Sequence, residues 1–236
     1  MMRTIITLIM LASAQAFAAP VERILPNGVR LILVPDAANP VVASFIVVRA
    51  GLAWEDADES GASHFLEHLL FNGTSRRTQE QLYAETDRLG IYNNATTRAD
   101  HTLYLMLGPS ERLPEILDLQ SDMLLYSTLP AEKFDKERAI VLEEMRHAHG
   151  DPSGVADELF TERLYAGTPY ARPVLGTLES IGKVTRASVE AHPAFPAASR
   201  GDYPAAQQLA RDLAKPAGWT GRVDYVCPVV QFDSAG

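Results

Sequence analysis

Apolar positions along the chain fall into short extended runs and longer helical ones. Val21 to Leu25 and Val29 to Val34 flank Pro26-Asn27-Gly28, and Asn-Gly between apolar runs is the strongest local hairpin signal. Val41 to Ala50, rich in Val, Ile and Phe, predicts a third strand whose nearly continuous run points to burial on both faces. Tyr92 to Thr97 and Thr102 to Leu107 predict two more strands joined across Arg98-Ala99-Asp100, with alternation at Leu103, Leu105 and Leu107. The helical runs lie around these. One opens at Gly61 and reaches about Phe71, where Asn72-Gly73 supplies a left-handed stop. A second starts at Thr78, with Gln81 completing a capping box, and stops at Gly90. Leu113 to Tyr126 follows near a proline, and Ala131 to about His149 ends at Gly150-Asp151-Pro152. Val155 to Tyr165 and a short turn from Val184-Thr185 complete the set, with loops at Glu55 to Ser60 and Thr168 to Gly176. This order predicts an α+β fold, a mostly antiparallel sheet packed against helices. There is no internal repeat and no low-complexity segment.

The first eighteen residues do not fit that core. Met1-Met2-Arg3 is a short basic start, Thr4 to Leu11 is apolar, and Ala16-Phe17-Ala18 is a small-x-small site. Together they read as a secretory signal peptide cut after Ala18, which places the mature chain in the periplasm or outside the cell. The apolar run is too short for a membrane anchor, and no later segment is long and apolar enough to span a bilayer. The formal charge is −9, and losing Arg3 with the signal makes it about −10. An acidic chain without a basic run is a poor nucleic-acid binder. Cys227 is the single cysteine, so neither an intrachain disulfide nor a cysteine-rich zinc site exists.

Candidate chemistry concentrates in His64-Phe65-Leu66-Glu67-His68, an H-x-x-E-H within the first helical run. Residues four apart sit one turn above each other on a helix, so His64 and His68 can aim their rings at one point. Zinc takes neutral imidazole and in catalytic sites keeps a position open for water, and Glu67 is close enough to take a proton without being a ligand. Catalytic zinc sites commonly have three protein ligands. Glu137 and Glu144, seven residues apart, project from one face of a later helix, and Glu143 is rotated away toward solvent. On spacing alone, ordinary surface carboxylates remain the better reading of all three. His147 and His149 suit a helix C-terminus, His101 a strand end or loop, and Trp54 and Tyr104 packing.

The chain resembles the pitrilysin/insulinase family of zinc peptidases, most closely its bacterial and mitochondrial-processing-peptidase-like members. The resemblance runs over about residues 22–190, through Leu25-Pro26-Asn27-Gly28, Gly61 to His68, Leu70 to Thr74, Gly90 to Thr97 and Leu142 to Met145. It implies that His64, His68 and Glu144 hold one zinc per chain, that Glu67 is the general base, and that Glu137 is a helper carboxylate. It also implies that Asn94 and Ala95 lie on an edge strand that binds a peptide substrate by β-addition. Under this resemblance Glu137 and Glu144 leave the class of surface carboxylates. The division it implies is a signal over residues 1–18, a catalytic domain over 19–190 and a divergent tail over 191–236. Family members commonly carry a second domain of similar fold that closes a chamber over the first. The tail, with Pro193, Pro196, Pro204 and a helix-like Ala205 to Lys215, does not read as the expected sheet completion; only Val223 to Phe232 looks like a strand. The expectation is a secreted zinc endopeptidase acting on peptides or unfolded segments, with a homo- or hetero-oligomeric partner supplying the second half. The alternative is a zinc-holding subunit that does not turn over substrate itself.

Overall fold

The chain is described by a computed structural model over residues 20–24, 29–34, 39–192 and, for the backbone alone, 225–230. Six strands form one sheet: β1 (Val21–Ile24), β2 (Arg30–Val34), β3 (Val41–Val48), β4 (Tyr92–Thr97), β5 (Thr102–Pro109) and β6 (Tyr225–Val230). Their order is β1-β2-β6-β3-β5-β4, and every pairing is antiparallel except that of β3 with β6. The hairpin expected around Asn27-Gly28 is present as β1 against β2, with Ile24 opposite Arg30, although the turn itself lies outside the described residues. The tail strand is there too, and its place is internal: Ser44 pairs with Val226, and Ile32 with Cys227. The tail therefore contributes to the sheet, contrary to its reading as no sheet completion. A parallel pairing between segments so distant leaves no local turn signal. The signal segment and the helix-like Ala205 to Lys215 lie outside the described residues.

Strand β3 does not bury both faces equally. Val42, Ser44, Ile46 and Val48 are buried, but Phe45 and Val47 are only half-buried and Val41 is exposed. Strand β5 alternates as expected, with Thr102, Tyr104 and Met106 as the buried set while Leu103 and Leu105 are half-buried and Leu107 exposed. Alternation fixes the period of a strand; only the packing partner chooses the face.

The helices are α1 (Ala62–Leu70), α2 (Gln79–Leu89), α3 (Leu113–Leu125), α4 (Ala131–Gly150), α5 (Pro152–Leu164), α6 (Leu178–Lys183) and α7 (Arg186–Ala191). Helix α2 begins on the expected box: Thr78 Oγ1 accepts from Gln81 N–H and Gln81 Oε1 accepts from Thr78 N–H, and Gly90 ends it at φ 68°. Helix α6 lies between the expected loop Thr168 to Gly176 and the turn at Val184, in a stretch for which the sequence pattern predicts no element. Its cap, Thr177 with Ser180, follows the same reciprocal logic with a serine where glutamate or glutamine is usual. One apolar cluster joins Phe65, Leu66, Leu69 and Leu70 of α1 to Ile46 and Val48 of β3, Val141 and Met145 of α4 and Ile181 of α6. A second joins Val42 and Met106 to Leu82 and Leu89 of α2 and Ile116, Leu119 and Met123 of α3. Between α3 and the sheet, buried Gln120 accepts from Ser44 Oγ at 2.6 Å and donates to the Ser44 and Tyr104 carbonyls. No helix among the described residues is long and apolar enough to cross a membrane.

Candidate metal centre

Helix α1 is held at both ends by contacts outside the side chains of its histidines and Glu67. Ahead of it, the buried carboxylate of Glu55 accepts from Gly61 N–H at 2.8 Å and Ser63 N–H at 2.7 Å. These are amides that a helix N-terminus leaves without partners, and the negative charge suits the positive end of the helix dipole. Gly61 itself has φ 89° and lies against Gly176 so closely that a Cβ there would sit 2.6 Å from the Leu175 carbonyl oxygen. Glycine meets both demands. At the far end, Asn72 Nδ2 donates to the His68 carbonyl at 2.9 Å, and Gly73 follows with φ 120°. The core side of α1 is fixed by Phe65, which meets Phe134 of α4 edge-on at 4.8 Å, with the Arg138 guanidinium over both rings. Arg138 also donates to the carbonyls of Ile181 and Val184, tying α4 to the end of α6.

So anchored, α1 turns His64, Glu67 and His68 toward a cleft of about 390 Å³ that also takes in Glu137 and Glu144 from α4. The structure brings together the five residues singled out from the sequence. His64 Nε2 lies 3.6 Å and His68 Nε2 3.5 Å from the same oxygen, Glu144 Oε2. One ligand atom from each of the three falls within 4.8 Å of the other two. Zinc held tetrahedrally by nitrogen and oxygen at about 2.0–2.1 Å separates its ligands by about 3.3 Å, so the two short separations fit such an ion. Two imidazoles and a carboxylate also suit zinc chemically. Glu137, expected as the helper carboxylate, lies behind the second ring, its Oε2 3.3 Å from His68 Nδ1. An acceptor there sets the tautomer that leaves Nε2 free to ligate. The first ring has no such support: His64 Nδ1 is buried without a hydrogen-bond partner.

The electrostatics separate these groups. Burial, reinforced by the neighbouring His68, depresses His64 to about 4, so this ring is neutral at pH 7. Burial opposes the charge on His68 too, but the hydrogen bond to Glu137 and the surrounding carboxylates outweigh it and raise that pKa. Burial works against Glu137, yet its bond to His68 leaves it below the usual carboxylate value. Burial raises Glu67, with a hydrogen bond from Thr97 in the opposite direction. A buried carboxylate beside a potential metal and outside its ligand set is in a position that suits a proton acceptor.

The remaining residues separate cleanly. Glu143 points away and pairs with Arg146. His147 is exposed and His149 bonds the Met145 carbonyl at 2.7 Å, both in the last turn of α4. His101 pairs with Asp100 in the β4–β5 turn. Tyr104 is core, whereas Trp54 is partly exposed beneath Arg49 and donates to the Asp100 carbonyl. Asn94 and Ala95 sit on β4, which is an edge of the sheet, and Asn93 and Asn94 line the cleft. Gln79 and Tyr83 of α2 line it as well, a contribution that no local pattern marked. Glu55 and Thr97 were missed for the same reason: each acts on α1 from a distant or non-periodic position.

Residues 30–178, which hold all of these site residues, match the family described as Insulinase (Peptidase family M16). The chain belongs to this family. Among its M16 relatives, an uncharacterized zinc protease of Mycobacterium bovis is 33% identical over 181 residues, covering 76% of this chain and 41% of that protein. A probable mitochondrial-processing peptidase subunit beta of Arabidopsis thaliana is 30% identical, covering 73% of this chain and 33% of its own length. Among solved structures, a protease from Helicobacter pylori superposes with a TM-score of 0.70 at 26% identity, over 75% of this chain and 43% of that one. The chain thus spans between a third and about two-fifths of the length of the curated relatives it matches, with the fold and the family both established.

Proposed function

We propose that this chain is the zinc-bearing unit of an exported M16 endopeptidase that cuts peptides or unfolded segments. The observation that carries the reading is the placement of Glu67, buried beside a His64, His68 and Glu144 ligand set without belonging to it. A site that only stored metal would have no use for that carboxylate. In this reading His64, His68 and Glu144 hold one zinc, which supplies a Lewis acid to a peptide carbonyl and to water. Glu67 takes the proton of the attacking water and hands it to the leaving amine. Glu137 keeps the His68 ring oriented from behind.

The outer edge of β4 is unpaired among the described residues and borders the cleft through Asn93 and Asn94. An extended substrate can add there as a further strand, its backbone held at Asn94 and Ala95. Selectivity then depends on extended conformation more than on one side chain.

Export rests on the signal-like residues 1–18. A second half, in the same or another polypeptide, completes the working enzyme. Glu144 favours this, since its side chain is 43% exposed and an open metal site is poorly shielded from water. So do the share of the relatives' length that this chain covers and a relative that is by name a subunit. The test is cleavage of a fluorogenic peptide by the zinc-loaded chain over a concentration series, alone and with candidate partner halves. Activity lost on chelation and restored by zinc supports the reading. A zinc-loaded chain that cleaves nothing under any of these conditions defeats it.

A further inference from the structure

We propose that Thr97 is a positioning residue for Glu67, committing one carboxylate oxygen so that the other takes the proton. The proposal rests on the peptidase reading for its consequence and on geometry for its substance. Thr97, the last residue of β4, donates from Oγ1 to Glu67 Oε2, and both side chains are buried. A hydroxyl has one proton to give, and a rival acceptor would compete for it. The other oxygen in reach is Thr102 Oγ1 at 3.4 Å. Thr102 spends its own proton on the Ala50 carbonyl at 2.8 Å, and its oxygen is a neutral, more distant acceptor than a carboxylate. Charge-assisted bonds are the stronger kind. Thr97 is therefore a fixed donor to Glu67.

The donor is itself immobile. The β4–β5 turn that carries it is pinned to the segment after β3. Ala53 N–H donates to the Ala99 carbonyl at 2.6 Å, and Arg98 N–H to the His101 carbonyl at 2.8 Å. Gly51 lies so near that a Cβ there would meet the Arg98 carbonyl oxygen at 2.3 Å. A side chain held by a rigid turn can hold a carboxylate to the tight tolerance that proton transfer demands. Glu67 also borders the cleft, and its second carboxylate oxygen, Oε1, is not the one that Thr97 Oγ1 holds. With Oε2 occupied, Oε1 is the oxygen that accepts the proton of the attacking water.

The test compares Thr97→Val, which keeps the shape and removes the hydroxyl, with Thr97→Ser, which keeps the hydroxyl. Thr97→Ala is made alongside in case valine overpacks. Zinc content and thermal unfolding are recorded for each, with kinetics on a fluorogenic peptide and crystal structures of the zinc-loaded proteins. The expected result is full zinc, kcat lower by about 10-fold with KM little changed in Thr97→Val and Thr97→Ala, and recovery to within about 3-fold in Thr97→Ser. The crystal structures should show one Glu67 conformer in the parent and Thr97→Ser proteins, and a displaced or split conformer when the hydroxyl is gone. An unmoved Glu67 carboxylate in Thr97→Val and Thr97→Ala overturns the proposal, as does a parental kcat in both. If the zinc-loaded parent cleaves no peptide even with candidate partner halves, the peptidase reading fails by itself and the Glu67 conformers still decide the role of Thr97.

Discussion

Helix α1 buries eight of its nine residues, whereas α4 buries four of its twenty, and the two meet across the same cleft. On α1 the chemical residues are set into the core: His64 and Glu67 are buried on the same short helix as Phe65 and Leu69. On α4 the buried stripe Phe134, Glu137, Val141 and Met145 runs at helical spacing, and Glu144 stands at its solvent side. One helix thus couples its candidate chemistry to folding, and the other offers a candidate ligand from a surface that can change cheaply. The difference predicts that stability and metal binding respond together to changes in α1 and separately to changes in α4.

The largest expected effect is on α1. Phe65→Ala removes a fully buried ring that packs on Phe134, and should cost about 3–5 kcal/mol in urea unfolding of the metal-free protein. A loss below about 1 kcal/mol would mean that α1 is not seated in the core as described. Next comes the cap. Glu55→Ala strips two helix amides of their acceptor and should cost about 1–2 kcal/mol, although Glu55 lies six residues before the nearer amide.

Acid should act mainly through buried histidines. His64 and His192 are each held at about 4 by burial, so between their ordinary value and 4 the unfolded chain binds protons that the folded chain refuses. Their contribution to stability is present above about pH 6.5 and is lost as pH falls toward 4. Glu137, depressed, adds loss at lower pH still, whereas His68 and Glu67, both raised, gain stability as pH falls and offset part of the loss from His64 and His192. The metal-free protein should therefore show a lower urea midpoint at pH 5 than at pH 7. An equal or higher midpoint at pH 5 contradicts the buried, neutral placement of these rings.

The smallest effects belong to α4. Ile140→Ala, at a position 38% exposed, should change stability by no more than about 0.5 kcal/mol, and Glu144→Ala by a similar amount in the absence of metal. A loss several times larger at either position would erase the contrast between the helices.

The same contrast governs what the sequence could disclose. Features written in neighbouring residues were legible: the Thr78–Gln81 box with its Gly90 stop, the hairpin from β4 to β5, and the four-residue spacing of His64 and His68. Features that depend on distant segments were not. Nothing near Tyr225 announces that it pairs between β2 and β3, and nothing in Thr97 announces a carboxylate thirty residues away. Glu137 and Glu144 lie between these cases. Their seven-residue spacing gave a common face, but only the packing of α4 against α1 shows that the face is turned to the histidines.

The central claim is that His64, His68 and Glu144 hold zinc while Glu67 moves the proton. The most direct measurement is zinc content and peptide cleavage on the same samples of parent, Glu67→Gln and Glu144→Ala, with the partner half present if the parent requires it. The parent should carry about one zinc per chain and cleave, since three protein ligands complete a catalytic site. Glu67→Gln should keep its zinc and lose cleavage by about 100-fold or more, and Glu144→Ala should lose both. A Glu67→Gln protein that cleaves like the parent, or a Glu144→Ala protein that retains full zinc, would contradict the account.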